Sequence, residues 1–464
     1  MSGNNRRQFL QAGAVAGVGF FAGFAPAQSR KERAKVERLK IACIGVGGKG
    51  GSDTDHAGEV GDVVALCDID DNNLNAKAAK FPKATKFHDF RELLDTLGKG
   101  IDAVVVSTAD HTHAPAAAMA MRMGKHVYVQ KPLTHTVLEA RTLRQLAKEH
   151  NLCTQMGNQG TAGDLFRTSV DRLRSGVLGP VKEVHCWTNR PVWPQSPKVT
   201  RRPAPAPVPK HVHWDLFLGP APERPYAVYE EEVKGKRNRS GAYHAFNWRG
   251  WWDFGTGALG DMACHTTNMP FMGLQLGLPT TIEAESEPIN PETYPAWAKV
   301  TFEFPARGDL PPVKLIWYEG KRDGKRVLPD LSVLQGTEKG FSDSGSLIIG
   351  EHASIYSPDD YGGTRRIFGP AAKDLVKYEP KLPRRRAELD LEMKKEWVEA
   401  IKANRPAHAM SNFDYAATLT EAILLGNAAI RAGKKLTYDG KEGKFAESDA
   451  NKFLHTEYRT GWKL

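Results

Sequence analysis

Short apolar runs alternate with longer mixed segments over the first third of the chain. The runs cover residues 39–44, 63–67, 102–107, 125–129 and 152–156, and each has the length of a buried strand. Helix-like segments separate the later runs, at residues 114–123 and 136–149. This alternation of strands and helices predicts an α/β domain, which we place at residues 39–156.

The pattern changes after residue 156. An amphipathic stretch at residues 165–175 precedes strand-like runs at 181–187, 298–304, 313–318 and 346–349, and helix-like segments follow at 389–403 and 415–432. We therefore assign residues 157–464 to a second domain. Its Pro-rich segment, residues 191–211, cannot form a central strand, and we predict a long loop there.

Composition excludes some classes of function. The chain has 464 residues, of which 41% are hydrophobic, and a formal net charge of +10. We expect no nucleic-acid partner, because the basic residues are scattered and no nucleic-acid-binding module is present. The five cysteines are far apart and lack any C-x-x-C pair, and His211 and His213 have no Cys or carboxylate partner at ligand spacing. The sequence therefore predicts neither a disulfide framework nor a metal site.

The first residues have the pattern of a targeting segment. Asn5-Arg6-Arg7-Gln8-Phe9-Leu10 resembles a twin-arginine export motif, an uncharged Ala- and Gly-rich stretch follows, and Ala25-Pro26-Ala27 fits a cleavage site. We expect a signal peptide at residues 1–28 and a linker at residues 29–38. The twin-arginine machinery would then export the protein to the periplasm or otherwise out of the cytoplasm. The alternative is an unstructured N-terminal segment.

A glycine-rich turn follows the first predicted strand. Gly45-Val46-Gly47-Gly48-Lys49-Gly50 has the spacing G-x-G-x-x-G, in which glycines allow a tight turn and close approach of the backbone to a pyrophosphate. The second strand ends at Asp68, 18 residues after Gly50, where a carboxylate that binds ribose hydroxyls is expected. These features predict a Rossmann dinucleotide-binding domain. NAD is favoured over NADP, because Asp68 would repel a 2′-phosphate and no arginine follows it closely.

The later strands lead to residues that carry a family resemblance. The third strand ends in Ser107-Thr108 with His113 nearby, and the fourth runs into Gln130-Lys131-Pro132. Farther on, Gly257-Ala258-Leu259-Gly260-Asp261 leads to His265. With the glycine turn, this combination resembles the Gfo/Idh/MocA oxidoreductases over roughly residues 39–464. One departure is Gln130, where the family has a glutamate.

The resemblance implies a fold and a catalytic set. The second domain would be α+β with an open, mostly antiparallel sheet, whose faces serve the substrate and a homo-oligomer contact. Lys131, Asp261 and His265 would be catalytic, with His265 as base and Lys131 stabilising the alkoxide and relaying its proton. The cofactor site would include the four motif glycines and the following residues: Asp68, Ser107, Thr108, His113, Gln130, Lys131, Trp248 and Arg249.

The residues alone leave alternatives open for two pairs of these residues. Asp261 and His265 are four apart and share one helix face, but such a pair also occurs on solvated faces. Trp248 and Arg249 fit an aromatic core segment as well as a cofactor contact. In the Pro-rich region, Asn189, Arg190 and Trp193 have the chemistry to hold a sugar, whereas a structural or subunit-wrapping loop explains them equally.

These observations predict an exported oxidoreductase that acts on a hydroxyl of a sugar or polyol. Export suggests a nucleotide that stays bound, because free nicotinamide cofactors are cytoplasmic. The alternative is a redox-neutral, NAD-dependent glycoside hydrolase or lyase of the same fold. A non-catalytic nucleotide sensor conflicts with the intact set Lys131, Asp261 and His265.

Overall fold

The computed structural model describes residues 38–464, apart from residues 234, 235, 378, 380, 384, 386 and 387. Residues 39–464 form one compact unit. The predicted signal peptide and linker lie outside the described residues. Within the part of the chain that is described, no helix combines the length and apolar character needed to cross a membrane.

A six-stranded parallel sheet forms the first half of the unit. Its strands are β1 (Lys40–Ile44), β2 (Asp62–Cys67), β3 (Thr85–Phe87), β4 (Ala103–Val106), β5 (His126–Val129) and β6 (Thr154–Met156). Its helices are α1 (Gly48–Val60), α2 (Asp71–Lys80), α3 (Phe90–Leu97), α4 (Asp110–Arg122) and α5 (Val137–Glu149). The strand order β3-β2-β1-β4-β5-β6 is that of a Rossmann dinucleotide-binding fold, which confirms the predicted fold of this half.

Helix α4 begins earlier than its sequence suggests. The prediction left residues 108–113 as a polar loop and began the helix at residue 114, just before Pro115. In the structure the helix begins at Asp110 and contains Pro115. Its polar first turn is buried rather than solvated, because the second half of the chain covers it.

The second half is built on a larger, mixed sheet. Its elements begin with α6 (Asp164–Arg174), β7 (Val181–Trp187), α7 (Trp214–Leu218), β8 (Val228–Val233), β9 (Lys236–Gly241), α8 (Gly257–Thr266) and α9 (Asn268–Leu274). They continue with β10 (Thr281–Ser286), β11 (Trp297–Phe304), β12 (Val313–Arg322), β13 (Lys325–Arg326), β14 (Gly345–Gly350), β15 (Ser354–Ser357) and β16 (Arg366–Phe368). The last are α10 (Ala372–Lys377), α11 (Leu389–Lys402), α12 (Phe413–Ala432), β17 (Leu436–Asp439) and β18 (Lys444–Phe445).

The pairing in this second sheet matches the predicted class. The order is β16-β15-β14-β7-β12-β11-β10-β17-β18, and β13 pairs with β12. Only the β7–β12 pair is parallel among the described pairs of this sheet, so the sheet is mostly antiparallel. Strand β11 alternates buried and half-buried residues, as expected for a sheet with one face on the core and one face open.

Two late elements position the site. Helix α8 packs against α12, so that the element with Asp261 and His265 has a rigid support. Helix α11 packs against α1, and its Met393 and Trp397 lie in one apolar cluster with Ile41 and Val105 of the first sheet. The nucleotide-binding half is therefore completed by residues from the end of the chain's second half.

Candidate active site

The glycine turn has the geometry that its motif predicts. Gly45 has φ +78°, and a Cβ there would lie 2.5 Å from the carbonyl oxygen of Ser107. A Cβ on Gly50 would overlap the carbonyl oxygen of Gly45. The turn therefore depends on Gly45 for backbone conformation and on Gly50 for close packing of α1 on β1.

The start of α1 suits an anionic group. The first backbone amides of a helix have no partner within the helix, and they carry its positive dipole end. Here Gly48 and Lys49 line a cavity, with the Lys49 ammonium group held 2.7 Å from Asp53 and 2.9 Å from Asp390. The free backbone amides, the positive end of the helix dipole and the Lys49 ammonium group together have the chemistry to hold a pyrophosphate.

Asp68 lies at the end of β2, facing the same cavity. Its Oδ2 accepts hydrogen bonds from the backbone amides of Val46, at 2.8 Å, and Gly47, at 3.1 Å, and its Oδ1 accepts one from Asp70 at 2.9 Å. Burial raises the pKa of Asp68, and these hydrogen bonds oppose that effect. The carboxylate thus fixes the glycine turn, and its remaining lone pairs can accept hydrogen bonds from ribose hydroxyls.

The cavity encloses about 1110 Å³, part of it open to solvent. Of the predicted cofactor residues, it is lined by Gly45, Gly47, Gly48, Asp68, Ser107, Thr108, Trp248 and Arg249. Gly50, His113, Gln130 and Lys131 lie outside this lining. On the Asp68 side the lining also includes His88, Phe90 and Trp462, with the Arg91 guanidinium 4.0 Å from the centre of the Trp462 ring. Sequence reasoning missed these three residues, because nothing local relates Trp462 to the glycine turn.

Arg249 connects the cavity to the predicted catalytic residues. It lies in a short 3-10 turn, Asn247–Gly250, with its guanidinium 4.1 Å from the centre of the Trp248 ring. Its Nε lies 3.3 Å from Oδ1 of Asp261. Trp248 is buried, as the aromatic-core alternative requires, and it also lines the cavity.

Lys131 and Asp261 form the centre of the site. Lys131 follows β5, and its ammonium group donates to Oδ1 of Asp261 at 2.8 Å and to the Asp261 backbone carbonyl at 2.8 Å. Burial alone would favour a neutral Asp261, but Lys131 and then Arg249 hold its pKa far below the ordinary value. Two cations and one carboxylate thus meet beside the cavity, and Lys131 and Asp261 are 130 residues apart in the chain.

His265 lies one turn after Asp261 on α8, as the spacing predicts. The residue is 5% exposed, so the solvated-face alternative is wrong for this pair. Burial, then repulsion from Lys131, lowers the pKa of His265 well below its ordinary value. Its Nδ1 is buried and finds no hydrogen-bond partner among the described residues, and its ring meets Tyr361 edge to face at 5.0 Å. A neutral imidazole with a free nitrogen can accept a proton.

A second buried carboxyl group, Asp110, adjoins this set. Its Oδ2 accepts hydrogen bonds from the hydroxyl of Thr256, at 2.7 Å, and from the Thr256 amide, at 3.1 Å. Burial raises the pKa of Asp110 to about 7, and the bond from Thr256 and the charge of Arg249 oppose that rise. Sequence reasoning missed Asp110 because it treated the residue as part of a polar loop.

Gln130 belongs to a buried network behind the glycine turn. Its side-chain amide donates to Oδ2 of Asp53 at 2.8 Å, and Ser107 donates to the same oxygen at 2.9 Å. Oδ1 of Asp53 accepts from Lys394 at 2.6 Å. This arrangement explains the departure from the family's glutamate, because a carboxylate at position 130 would face Asp53.

His113 holds two loops together and does not reach the cavity. Its ring nitrogens lie 2.8 Å from the carbonyl oxygen of Pro132 and 3.0 Å from that of Thr108. Burial lowers the pKa of His113 to about 4, so the ring is neutral at pH 7. It therefore positions the loops that carry Thr108 and Lys131.

The three candidate substrate residues have different environments. Trp193 is buried, its indole N–H donates to Gln195 at 2.7 Å, and its ring packs 6.2 Å from that of Phe246. These contacts favour the structural alternative for Trp193. Arg190 bonds to Asn189, and its charge is close enough to disfavour protonation of His265. Asn189 and Arg190 thus lie on the His265 side of the site.

The two loop histidines do have carboxylate partners, contrary to the sequence argument. His213 Nε2 lies 3.5 Å from Oδ1 of Asp71, and His211 Nε2 lies 3.8 Å from Oδ2 of Asp70. Spacing along the chain could not reveal this, because the partners lie about 140 residues away.

Two family models match the chain. The model described as an oxidoreductase family NAD-binding Rossmann fold matches residues 39–158, and the one described as an oxidoreductase family C-terminal alpha/beta domain matches residues 173–310.

Two curated relatives match less than half of the chain. A glycosyl hydrolase family 109 protein of Solibacter usitatus is 34% identical over 199 residues, which are 39% of this chain and 44% of the relative. An inositol 2-dehydrogenase of Saccharopolyspora erythraea is 33% identical over 153 residues, 31% of this chain and 44% of the relative. The matched part of the chain thus spans less than half the length of these relatives.

Solved structures share the whole fold at low identity. The WlbA dehydrogenase of Bordetella pertussis, solved with NADH and UDP-GlcNAcA, has a TM-score of 0.58 at 12% identity and covers 87% of this chain and 99% of its own. An inositol dehydrogenase homologue of Azotobacter vinelandii, solved with NADH and myo-inositol, has a TM-score of 0.56 at 16% identity and covers 87% and 98%. Because the two family models together match more than half of its residues, the chain belongs to the Gfo/Idh/MocA oxidoreductase family.

Proposed function

We propose that the protein is an NAD-dependent oxidoreductase that transfers a hydride between the cofactor and a hydroxyl-bearing carbon of a sugar or polyol. The observation that carries this proposal is the contact between Arg249, which lines the nucleotide cavity, and Asp261, which pairs with Lys131. It joins a site for a dinucleotide to a site with acid and base groups. The structural neighbours solved with NADH and a sugar or inositol support the same substrate class.

The residues present suit the removal of a proton from an alcohol. When bound, NAD supplies the hydride acceptor. The Lys131 ammonium group can stabilise the developing alkoxide, and such charge stabilisation contributes most where water is excluded. His265 is neutral, so its ring can take up the hydroxyl proton. Asp261 orients Lys131, because its carboxylate and its backbone carbonyl both accept hydrogen bonds from the ammonium group.

We infer NAD rather than NADP as the cofactor. Asp68 is flanked in the cavity by Asn73 and Asp89, and a 2′-phosphate there would meet carboxylates from both Asp68 and Asp89. His88 and His244 also line this end, and the Arg91 guanidinium beside it is already paired with Asp89 at 2.6 Å. A ribose diol fits this set of acceptors better than a phosphate does.

A second candidate function has its own support. Relatives named as glycosyl hydrolase family 109 proteins are 34% and 26% identical to this chain over 199 and 202 residues. A redox-neutral glycoside hydrolase or lyase would use the same site to oxidise a ring hydroxyl, eliminate across the acidified C–H bond and return the hydride. Lys131 favours the simple oxidoreductase, because it is placed to stabilise an alkoxide.

One experiment addresses cofactor and reaction together. We expect mass spectrometry of the nucleotide released on denaturing the purified protein to detect NAD in near-stoichiometric amount. Protein with its nucleotide retained should oxidise a sugar while it reduces an added ketose. Release of aglycone from a chromogenic glycoside without an acceptor would instead establish the redox-neutral reaction. Detection of NADP would contradict the inference drawn from Asp68.

We also infer export by the twin-arginine route, from the motif that contains Arg6 and Arg7. Replacing both residues with lysine is expected to leave the protein in the cytoplasm, because the receptor recognises the arginine pair rather than charge alone. Cell fractionation measures this, with Lys31→Arg in the linker as a control. Normal export of the Lys-Lys variant would contradict the inference.

Self-association through the open face of the second sheet is a further part of the proposal. Light scattering of the full chain measures it.

A further inference from the structure

Two histidines and an aspartate meet at the rim of the nucleotide cavity, outside the catalytic set. One ligand atom from each of Asp71, His88 and His213 lies within 4.8 Å of the others. The three come from different parts of the chain: the start of α2, the segment between β3 and α3, and the end of the Pro-rich region. We propose that this cluster is a binding site for a divalent transition-metal ion, with Zn²⁺ as the representative.

The contacts within the cluster favour a shared ion over a simple ion pair. His88 Nε2 lies 2.7 Å from Oδ1 of Asp71, so this pair alone would be satisfied. His213 Nε2 points to the same oxygen at 3.5 Å, is shielded from solvent and has no hydrogen-bond partner among the described residues. A metal ion between the three atoms would give that nitrogen a partner.

The two imidazole rings lie beside each other. The centres of the His88 and His213 rings are 3.9 Å apart. Imidazole nitrogens bind Zn²⁺ at about 2.0–2.1 Å, which places tetrahedral ligand atoms roughly 3.3 Å from one another. Small rotations of the side chains would lengthen the 2.7 Å separation of His88 and Asp71 and shorten the longer ones to that value.

The backbone around the cluster is already fixed. The Asp71 amide donates to the carbonyl oxygen of His211 at 2.8 Å, and the His213 amide donates to that of Ile69 at 2.8 Å. These bonds flank a β-bridge between Asp70 and Val212. Asp71 and His213 are therefore held opposite each other without any ion, which lowers the cost of organising the site.

The ligand set selects a class of ion. Two neutral imidazoles and one carboxylate suit Zn²⁺ and its transition-metal neighbours, whereas Mg²⁺ prefers oxygen ligands and keeps its waters. The side chains of Asp71, His88 and His213 are 38%, 39% and 39% exposed, so water can occupy the remaining coordination positions. The ion would tie the Pro-rich region to His88, which lines the nucleotide cavity.

Metal binding to the full-length protein, stripped with a chelator and freed of any affinity tag, tests the proposal. We expect one Zn²⁺ per chain by calorimetry and elemental analysis, no comparable binding of Mg²⁺, and a higher melting temperature with Zn²⁺. His213→Ala and, separately, His88→Ala should weaken Zn²⁺ binding at least tenfold. Because the two substitutions affect different segments, misfolding of one variant leaves the other as a test.

Two further histidine variants serve as matched controls. His211→Ala changes the same segment but faces Asp70, and His455→Ala removes an exposed histidine that pairs with Glu457. Both should bind Zn²⁺ like the unmodified protein. Zn²⁺ binding that survives in His213→Ala and His88→Ala, or that is lost in His211→Ala alone, would overturn the assignment, as would the absence of stoichiometric binding.

Discussion

Replacing Lys131 with alanine is expected to lower turnover by roughly a hundredfold to ten-thousandfold, the usual contribution of a positioned proton-transfer group. The bound nucleotide should be largely retained, because the glycine turn, the start of α1 and Asp68 form the cavity wall without Lys131. Steady-state kinetics and the nucleotide content of the purified variant measure the two effects. Lys148→Ala, an exposed change on α5, is the control and should leave both unchanged.

His265→Ala should lower turnover to a similar degree, and the double variant should be little worse than either single one. Groups that act as a unit on one substrate oxygen give non-additive losses. Additive losses would show that Lys131 and His265 act independently. Near-normal turnover of His265→Ala would mean that the buried histidine serves only the packing of α8.

The largest effect on stability is expected from Lys394→Met. Lys394 and Asp53 are both fully buried, with Nζ and Oδ1 2.6 Å apart, so the substitution leaves a buried carboxylate without its main partner. Breaking such a pair from one side costs about 3–5 kcal/mol in free energy of unfolding. The reciprocal change, Asp53→Asn, should also destabilise the protein. Denaturant-induced unfolding followed by circular dichroism measures the free energies.

The neighbouring residue provides a matched control for this measurement. Lys395 is 42% exposed and pairs with Glu392 one turn earlier on α11. Such exposed helix pairs contribute about 0.3–0.5 kcal/mol, so Lys395→Met should change the unfolding free energy little. Equal losses from Lys394→Met and Lys395→Met would show that the buried pair contributes nothing beyond an ordinary surface contact.

Local patterns were sufficient to predict much of the fold. The patterns used were the glycine turn, the position of Asp68 after the second strand and the four-residue spacing of Asp261 and His265. Each involves residues that are close in sequence. The family models confirm the fold that these patterns predict. The first domain's strands were placed by their apolar runs, because buried parallel strands are nearly continuous in apolar residues.

Other parts depended on contacts between distant segments. Asp53 is unremarkable in the sequence, and only the packing of α11 on α1 brings Lys394 to it. The start of α4 was misplaced because burial by the second half, not local helix propensity, stabilises its polar first turn. The Asp71, His88 and His213 cluster was missed for the same reason, since nothing in a spacing rule pairs residues so far apart.

The position of Trp462 in the cavity wall has a consequence for the order of assembly in the cell. Its ring lies on the same wall as Asp68, although almost four hundred residues separate them in the chain. During synthesis the glycine turn therefore leaves the ribosome long before this part of the cavity lining exists. A nucleotide captured at that stage would lack one side of its pocket, and tight capture must wait until residue 462 has been made and α11 has docked on α1.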